Sequence, residues 1–342
     1  MHPTTIAVDL AKSVFQIAVS RQPGKVAESH RLTRPKFLRF FAEHQPALVL
    51  LEACGTAHFW GRKLQEFGHQ VLLLPPSHVR PYVQRNKTDC TDAKGLLEAH
   101  RNEQIRPVPV KSVAQQALAG LHRLRSAWMA DRTARLNLVR GLLREMGLSI
   151  PVGARHVVPK ASALLSAPDG EIPAALRLAL QDALEEIRGF ETRIRAVEKQ
   201  LQALAAQTPP VQRLRSIPGV GLLTATALVA FVGEVQRFPT SRHFASFLGL
   251  TPRECSSGLR RRLGAISKRG DVYLRTLLVH GSRSVLWAAQ RAKQPDRLQA
   301  WALKVQAGRG QNKASVALAN KLARIVWAVW RREVCYQSRA IG

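Results

Sequence analysis

The sequence predicts an α/β N-terminal domain and a mainly α C-terminal domain, joined by a long coiled-coil helix. Three observations predict it. Short apolar runs of strand length alternate with helical patterns over residues 5–104. An uninterrupted heptad seam runs from Leu176 to Leu204. After residue 210 the composition turns strongly basic. The expected boundaries are 1–150 for the first domain, 151–210 for a linker with the coiled coil, and 211–342 for the last domain.

Residues 5–10 read as a strand. Residues 14–20 read as a second, with Phe15, Ile17 and Val19 on one face. The short link Ala11-Lys12-Ser13 makes the pair a hairpin. Pro35 opens a helix to about Glu43. Ala47 to Leu51 is a continuous apolar run, as expected of a strand covered on both faces. Residues 57–67 read as a helix, and Gln70–Leu74 as a buried strand stopped by Pro75-Pro76. This order implies a largely parallel sheet after an opening hairpin. Residues 89–104 and 113–148 read as helices, the second rich in arginine, and 149–170 as a looser stretch.

Leu176, Leu180, Ala183, Ile187, Phe190, Ile194, Val197, Leu201 and Leu204 alternate at spacings of four and three. That seam predicts a coiled coil, whose partner is either a second copy of the chain or the 113–148 helix. One long helix packed on its own domain is the plainer alternative. Thr208-Pro209-Pro210 ends it. Residues 211–342 hold 23 Lys+Arg against 5 Asp+Glu, a net of +18 out of +29 for the whole chain of 342 residues.

A charge of +29 concerns partners, not fold. It points to nucleic acid. A membrane-surface protein would need a basic amphipathic helix or a lipidation signal, and neither is evident. No apolar run reaches the roughly 20 residues of a bilayer span, so no membrane partner is expected. Cys54, Cys90, Cys255 and Cys335 form no CxxC pair, which argues against a zinc finger and a disulfide framework. With no signal-peptide apolar region at the start, a cytoplasmic location is expected.

Asp9 falls near the end of the first strand and Glu52 directly follows the buried run. Asp89 and Asp92 are three apart at a helix start, so they share a face. Sites in open α/β sheets lie beyond the carboxyl ends of strands. Four carboxylates gathered there would repel unless a cation held them, and hard oxygen donors select Mg²⁺ or Mn²⁺. Two such ions can assist phosphodiester displacement. Taken singly, an Asp after a strand also serves as a turn residue, and a DxxD at a helix start as a cap.

Asp9 in Ala7-Val8-Asp9-Leu10-Ala11-Lys12, Glu52 in Leu51-Glu52-Ala53-Cys54-Gly55-Thr56, and Lys87-Thr88-Asp89-Cys90-Thr91-Asp92-Ala93 together resemble the insertion sequence 110 transposase family, 1111 subgroup. The resemblance implies an RNase H-like (RuvC-like) first domain with a DEDD tetrad, Asp9, Glu52, Asp89 and Asp92, binding Mg²⁺. Lys12 and Lys87, inside the matched motifs, are then expected nucleic-acid contacts. The resemblance covers roughly residues 5–110 and 211–285.

In the last domain, Ile217-Pro218-Gly219-Val220-Gly221 before a helix resembles a helix-hairpin-helix turn. Gly219 and Gly221 would free backbone N–H groups for a phosphate. A plain glycine turn between packed helices is the other reading. The loop Glu254-Cys255-Ser256-Ser257-Gly258 and the run to Asp271 combine small residues with many cations. Arg260, Arg261, Arg262, Lys268, Arg269 and Arg275 are the expected phosphate contacts, each adding about one unit to the salt slope of binding. Residues 313–334 form a last helix, whose Trp327 and Trp330 read as core.

This block resembles the transposase domain of the same family, whose Ser-Gly loop carries a nucleophile. The serine before the glycine is Ser257, with Ser256 a neighbouring candidate. The family's chemistry implies a transient phosphoserine link to DNA and a structured guide RNA that pairs with target and donor DNA. It also implies a bacterial or archaeal, nucleoid-associated protein. Ser257 would reach the tetrad by docking, for which a dimer or tetramer held by the coiled coil would serve. A junction-resolving endonuclease without the serine step, and a non-enzymatic nucleic-acid-packaging protein, are the rival expectations.

Overall fold

The computed structural model describes residues 4–83, 89–167 and 171–338, without the side chains of Asp89 and Cys90. It divides into two compact units, Met1–Gln115 and Gln116–Gly342.

The first unit is a sheet covered on both faces. Its elements are β1 (Thr5–Leu10), β2 (Val14–Ser20), β3 (Glu28–Thr33), α1 (Arg34–Glu43), β4 (Leu48–Glu52), α2 (Ala57–Glu66), β5 (Gln70–Leu74), α3 (Pro76–Val79) and α4 (Asp89–His100). The strand order is β3-β2-β1-β4-β5. β1, β2 and β3 pair antiparallel, and β1, β4 and β5 parallel. The opening hairpin and the parallel strands stand where the alternation of apolar runs puts them. β3 was not expected. Its six residues alternate between half-buried and exposed at the sheet edge, so it needs no apolar face.

Successive strand residues point to opposite faces. Ile6, Val8, Val49, Leu51 and Leu73 face one way, against Phe37 and Phe41 of α1 and Trp60 and Leu64 of α2. Ala7, Leu50 and Leu74 face the other way, against Leu96 and Ala99 of α4. Small residues let α4 lie close. Ala93 and Ala99 are fully buried, and a Cβ on Gly95 would sit 2.9 Å from the Val83 side chain. Helix α4 ends at His100, earlier than the 104 expected, where Arg101 and Asn102 form turns.

The second unit opens with two 33-residue helices, α5 (Val113–Glu145) and α7 (Ala174–Ala206). Between them lies α6 (Val157–Ser166), inside the stretch read as loose. Arg125 pairs with Glu198 and Arg132 with Glu191, at 2.7 and 2.6 Å, and Arg135 pairs with Glu186. The partner numbers fall as the arginine numbers rise, so the helices run antiparallel. Their seam is apolar: Leu136, Val139 and Leu143 pack with Leu180, Leu184 and Ile187. Leu176, Leu180, Ala183 and Ile187 of the heptad seam share a cluster with residues of the 113–148 helix of the same chain and of α6. At the end of α7 the seam drifts. Leu204 is 37% exposed and Ala205 is buried in its place. A straight helix of 3.6 residues per turn slips against a strict seven-residue repeat in this way.

The rest of the unit comprises α8 (Pro209–Arg215), α9 (Leu222–Val232), α10 (Ser241–Phe247), β6 (Pro252–Glu254), β7 (Leu263–Ile266), α11 (Val272–Arg291), α12 (Arg297–Arg309) and α13 (Gln311–Arg332). Their core includes Leu118 of α5 and Val197 and Leu201 of α7. The border at residue 211 is therefore one of charge, not of packing. Trp330 is in this core, and the Trp327 indole donates to Phe238 O at 3.0 Å. Among the described residues no helix is long and apolar enough to cross a membrane.

His122 ties three helices of this core together. Its Nε2 lies 3.0 Å from Thr226 Oγ1 and its Nδ1 3.0 Å from the Tyr273 hydroxyl. Thr226 already donates to Leu222 O at 2.7 Å, so it accepts from Nε2–H, and Tyr273 donates to Nδ1. The ring is neutral, and burial, then the nearby Arg125 charge, push its pKa down to about 4. The unfolded chain binds the proton near 6.5. Stability is therefore complete above 6.5 and falls as the pH drops towards 4, by up to about 3 kcal/mol. Urea midpoints between pH 7.5 and 4.5 should show this slope, and His122→Leu should flatten it. An unchanged slope in the variant would remove His122 as its source.

Candidate functional site

The first unit gathers acidic residues at one end of one face. Val8 of β1 pairs with Leu51 of β4, so Asp9 and Glu52 come next on neighbouring parallel strands. By alternation with Val8 and Leu51 they fall on the face that α4 covers. The direction of α4 follows from a cleft that joins Thr5 and Leu48, at the beginnings of β1 and β4, to Leu97, His100 and Arg101. The C-terminal end of α4 thus lies where the two strands begin, and its first turns lie where they end. Asp92 stands one turn before Leu96, which packs on the sheet. Asp9, Glu52 and Asp92 are all half-buried. Lys12 is exposed in the turn after β1, at the same end.

Asp89 begins α4, one turn before Asp92, but its side chain and all of Lys87 lie outside the described residues. Among the described residues, no three His, Cys, Asp or Glu side chains form a group that could hold a metal ion. The strands and the helix converge; the three described carboxylates do not close into a metal cluster. The donor chemistry nevertheless fits Mg²⁺ or Mn²⁺, because this end offers carboxylate oxygens, the ligands that hard cations select.

The second unit presents a serine on a hairpin. β6 and β7 pair antiparallel, and Ser257 and Arg260 bridge above them, with Arg260 N donating to Ser257 O at 3.1 Å. Gly258 and Leu259 make the turn. Gly258 has φ +56°, and Leu259 is not among the positive-φ residues, the pattern of a two-residue type II′ turn that needs glycine first. Leu259 is fully exposed at the tip.

The two serines differ. Ser256 Oγ donates to Glu254 Oε1 at 2.9 Å and accepts from Arg262 N at 3.1 Å. Glu254 also takes Arg261 Nε at 3.1 Å. These bonds, Ser256 first and then Arg261, hold the Glu254 carboxyl below its usual pKa. Ser256 thus braces the hairpin. The Ser257 hydroxyl is exposed and has no hydrogen-bond partner among the described residues. Glu254 is the sole acidic residue between Glu234 and Asp271, and that isolation among cations is the sequence signal of its bracing role.

Arg260, Arg262, Lys268 and Arg269 are exposed. Lys268 has φ +55°, a left-handed conformation that lysine adopts at a cost. Arg275 is a brace: its Nη1 donates to Gly270 O at 3.0 Å and Leu248 O at 3.3 Å. The hairpin base is crowded, since a Cβ on Gly270 would lie 2.1 Å from Phe247 O.

The two glycines of the α8–α9 turn also separate. Gly219 has φ +81°, and its Cβ would lie 2.7 Å from Gly281 O of α11, so close packing accounts for it. Gly221 begins α9 and has open space beyond its Cα.

Residues 211–299 match the model for the transposase IS116/IS110/IS902 family, and residues 6–147 match a transposase model named for the DEDD domain of IS110. The chain is 41% identical over 338 residues to a probable family 20 transposase of Pseudomonas aeruginosa, covering 98% of this chain and 99% of that protein. It is 37% identical over 335 residues to the transposase for insertion sequence element IS1111A of Coxiella burnetii, covering 98% and 92%. It is 35% identical over 328 residues to the transposase for insertion sequence element IS1328 of Yersinia enterocolitica, covering 95% and 96%.

Proposed function

Because the chain belongs to the IS116/IS110/IS902 family of transposases, enzymes that cut and rejoin DNA, we propose that it does so with two separate parts: the acidic end of the first unit and the serine hairpin of the second. The first part lies in an RNase H-like domain read as about residues 1–150, whose sheet is the unit Met1–Gln115; the β3-β2-β1-β4-β5 order, with three antiparallel and two further parallel strands, supports that reading. Asp9, Glu52, Asp89 and Asp92 would hold Mg²⁺. Bound there, the ion would polarise the phosphate and offset charge on the leaving oxygen. The observation that supports this most is the direction of α4, which aims Asp92 at the strand ends bearing Asp9 and Glu52.

Ser257 is the nucleophile. Its Oγ bonds to phosphorus, the bond from phosphorus to one deoxyribose oxygen breaks, and the serine proton leaves with that oxygen as a hydroxyl. A DNA hydroxyl then attacks the phosphoserine and releases Ser257, so one phosphodiester is exchanged for another. Exposed Arg260, Arg262, Lys268 and Arg269, with Lys12 and Lys87, hold the backbone. Gly221 N–H at the start of α9 takes a further phosphate. Target and donor DNA are chosen by a guide RNA, and two or four copies bring hairpin and acidic end together.

The test is a covalent adduct. The protein, with any RNA that copurifies, is incubated with labelled DNA carrying the element ends and Mg²⁺. On a denaturing gel the label should shift to the protein's mass, lose that shift on proteolysis, and never acquire it with Ser257→Ala. Cleavage without any adduct would leave a junction-resolving nuclease instead.

A further inference from the structure

Helix α13 carries two stripes. Leu318, Leu322, Val326 and Val329 are core. Lys313, Ala317, Lys321 and Arg324 share a second face, which lines an open groove of about 1040 Å³. The opposite wall is β7 of the serine hairpin, with Ala265 and Ile266, and Trp301 of α12 lines it as well. A solvated helix face ordinarily mixes both signs of charge. This one holds three cations, and the groove has no carboxylate in its lining.

The cations are unusually placed. The Lys321 ammonium lies 3.9 Å from the centre of the Trp301 ring. Burial, then the Arg297 and Arg324 guanidinium groups, lower its pKa. Among the described residues, Lys313, Lys321 and Arg324 form no salt bridge. The groove therefore offers apolar walls, an indole and three cations without counter-charge. A duplex backbone would satisfy the cations and leave the walls bare. A base taken out of its stack covers apolar and aromatic surface, and its phosphate meets the charge.

We propose that this groove receives one unpaired nucleotide of the DNA strand that runs along the serine hairpin, its base against Trp301, Ile266 and Ala317 and its phosphate against Lys313, Lys321 and Arg324. The inference rests on the reading that the hairpin acts on DNA. Held at the base of the hairpin, that nucleotide would set the register of the strand that runs on towards Ser257 at the tip.

Ala317→Trp fills the groove and keeps every cation. Fluorescence anisotropy of the full chain with a labelled short single-stranded DNA should show about a tenfold loss of affinity, and the duplex of the same sequence less than about twofold. Equal losses on both, or no loss in a variant that melts like the wild type, would overturn the proposal. So would a loss confined to single-stranded RNA, which would hand the groove to RNA. If the variant melts low, the wild-type protein decides. Photocrosslinking of single-stranded DNA carrying 5-bromodeoxyuridine should label peptides within 263–266 or 297–324, and labels elsewhere count against it. Binding needs no cleavage, so a failed adduct test and a failed groove test are distinguishable.

Discussion

Ser257→Ala should lower strand exchange by on the order of 10³-fold or more, and leave folding and duplex binding as they were. The reason is local. The hydroxyl is exposed and bonded to nothing among the described residues, so its loss removes the proposed nucleophile and no structural contact. Ser256→Ala behaves in the opposite sense. It breaks the bonds to Glu254 and to Arg262 N, so the hairpin loosens and exchange falls about tenfold through geometry. Exchange rates of both variants on one substrate, with circular dichroism and anisotropy as controls, check the pair. A dead Ser256→Ala beside an active Ser257→Ala would reverse the assignment.

Neutralising the acidic end gives the other large effect. Asp9→Asn, Glu52→Gln and Asp92→Asn should each lower cleavage by on the order of 10³-fold, because hard-cation sites depend on carboxylate charge. The sharper readout is thermal. A cation that binds only the folded state stabilises it by about 2.7 kcal/mol at a hundred times its dissociation constant. Melting of the wild type should therefore rise with added Mg²⁺. Each variant should gain little from added Mg²⁺, whatever its melting point in chelator. Variants that gain as much as the wild type would show that the ion binds elsewhere.

The apolar code of the first unit was legible because its strands are buried. Ala47 to Leu51 and Gln70 to Leu74 are of strand length and read as covered strands; the end of the first locates Glu52, as the end of residues 5–10 locates Asp9. β3 was illegible for the converse reason: Glu28-Ser29-His30-Arg31-Leu32-Thr33 holds one large apolar residue and pairs through its backbone. The long seam on α7 was legible as far as Leu201, and its last turn was not, because Leu204 and Ala205 compete for one position and only packing decides. The serine segment read as a loop. Its three- and four-residue strands, exposed along nearly all their length, carry no apolar alternation for the eye to find. Nor does any sequence pattern show which of two adjacent serines is occupied; the Glu254 bond separates them.

The short turn beyond Ser257 has a consequence for tolerated change. Two residues close it, and the crossing of Gly270 beneath Phe247 pins the other end. The hydroxyl therefore rides at a set height on a stiff blade. Side chains there can be exchanged cheaply at Leu259, which touches water alone. The count of residues cannot. One inserted residue between β6 and Ser257 would flip the oxygen to the far side of the blade, because strand side chains alternate. Drift at the tip is thus free in composition at Leu259 and forbidden in length.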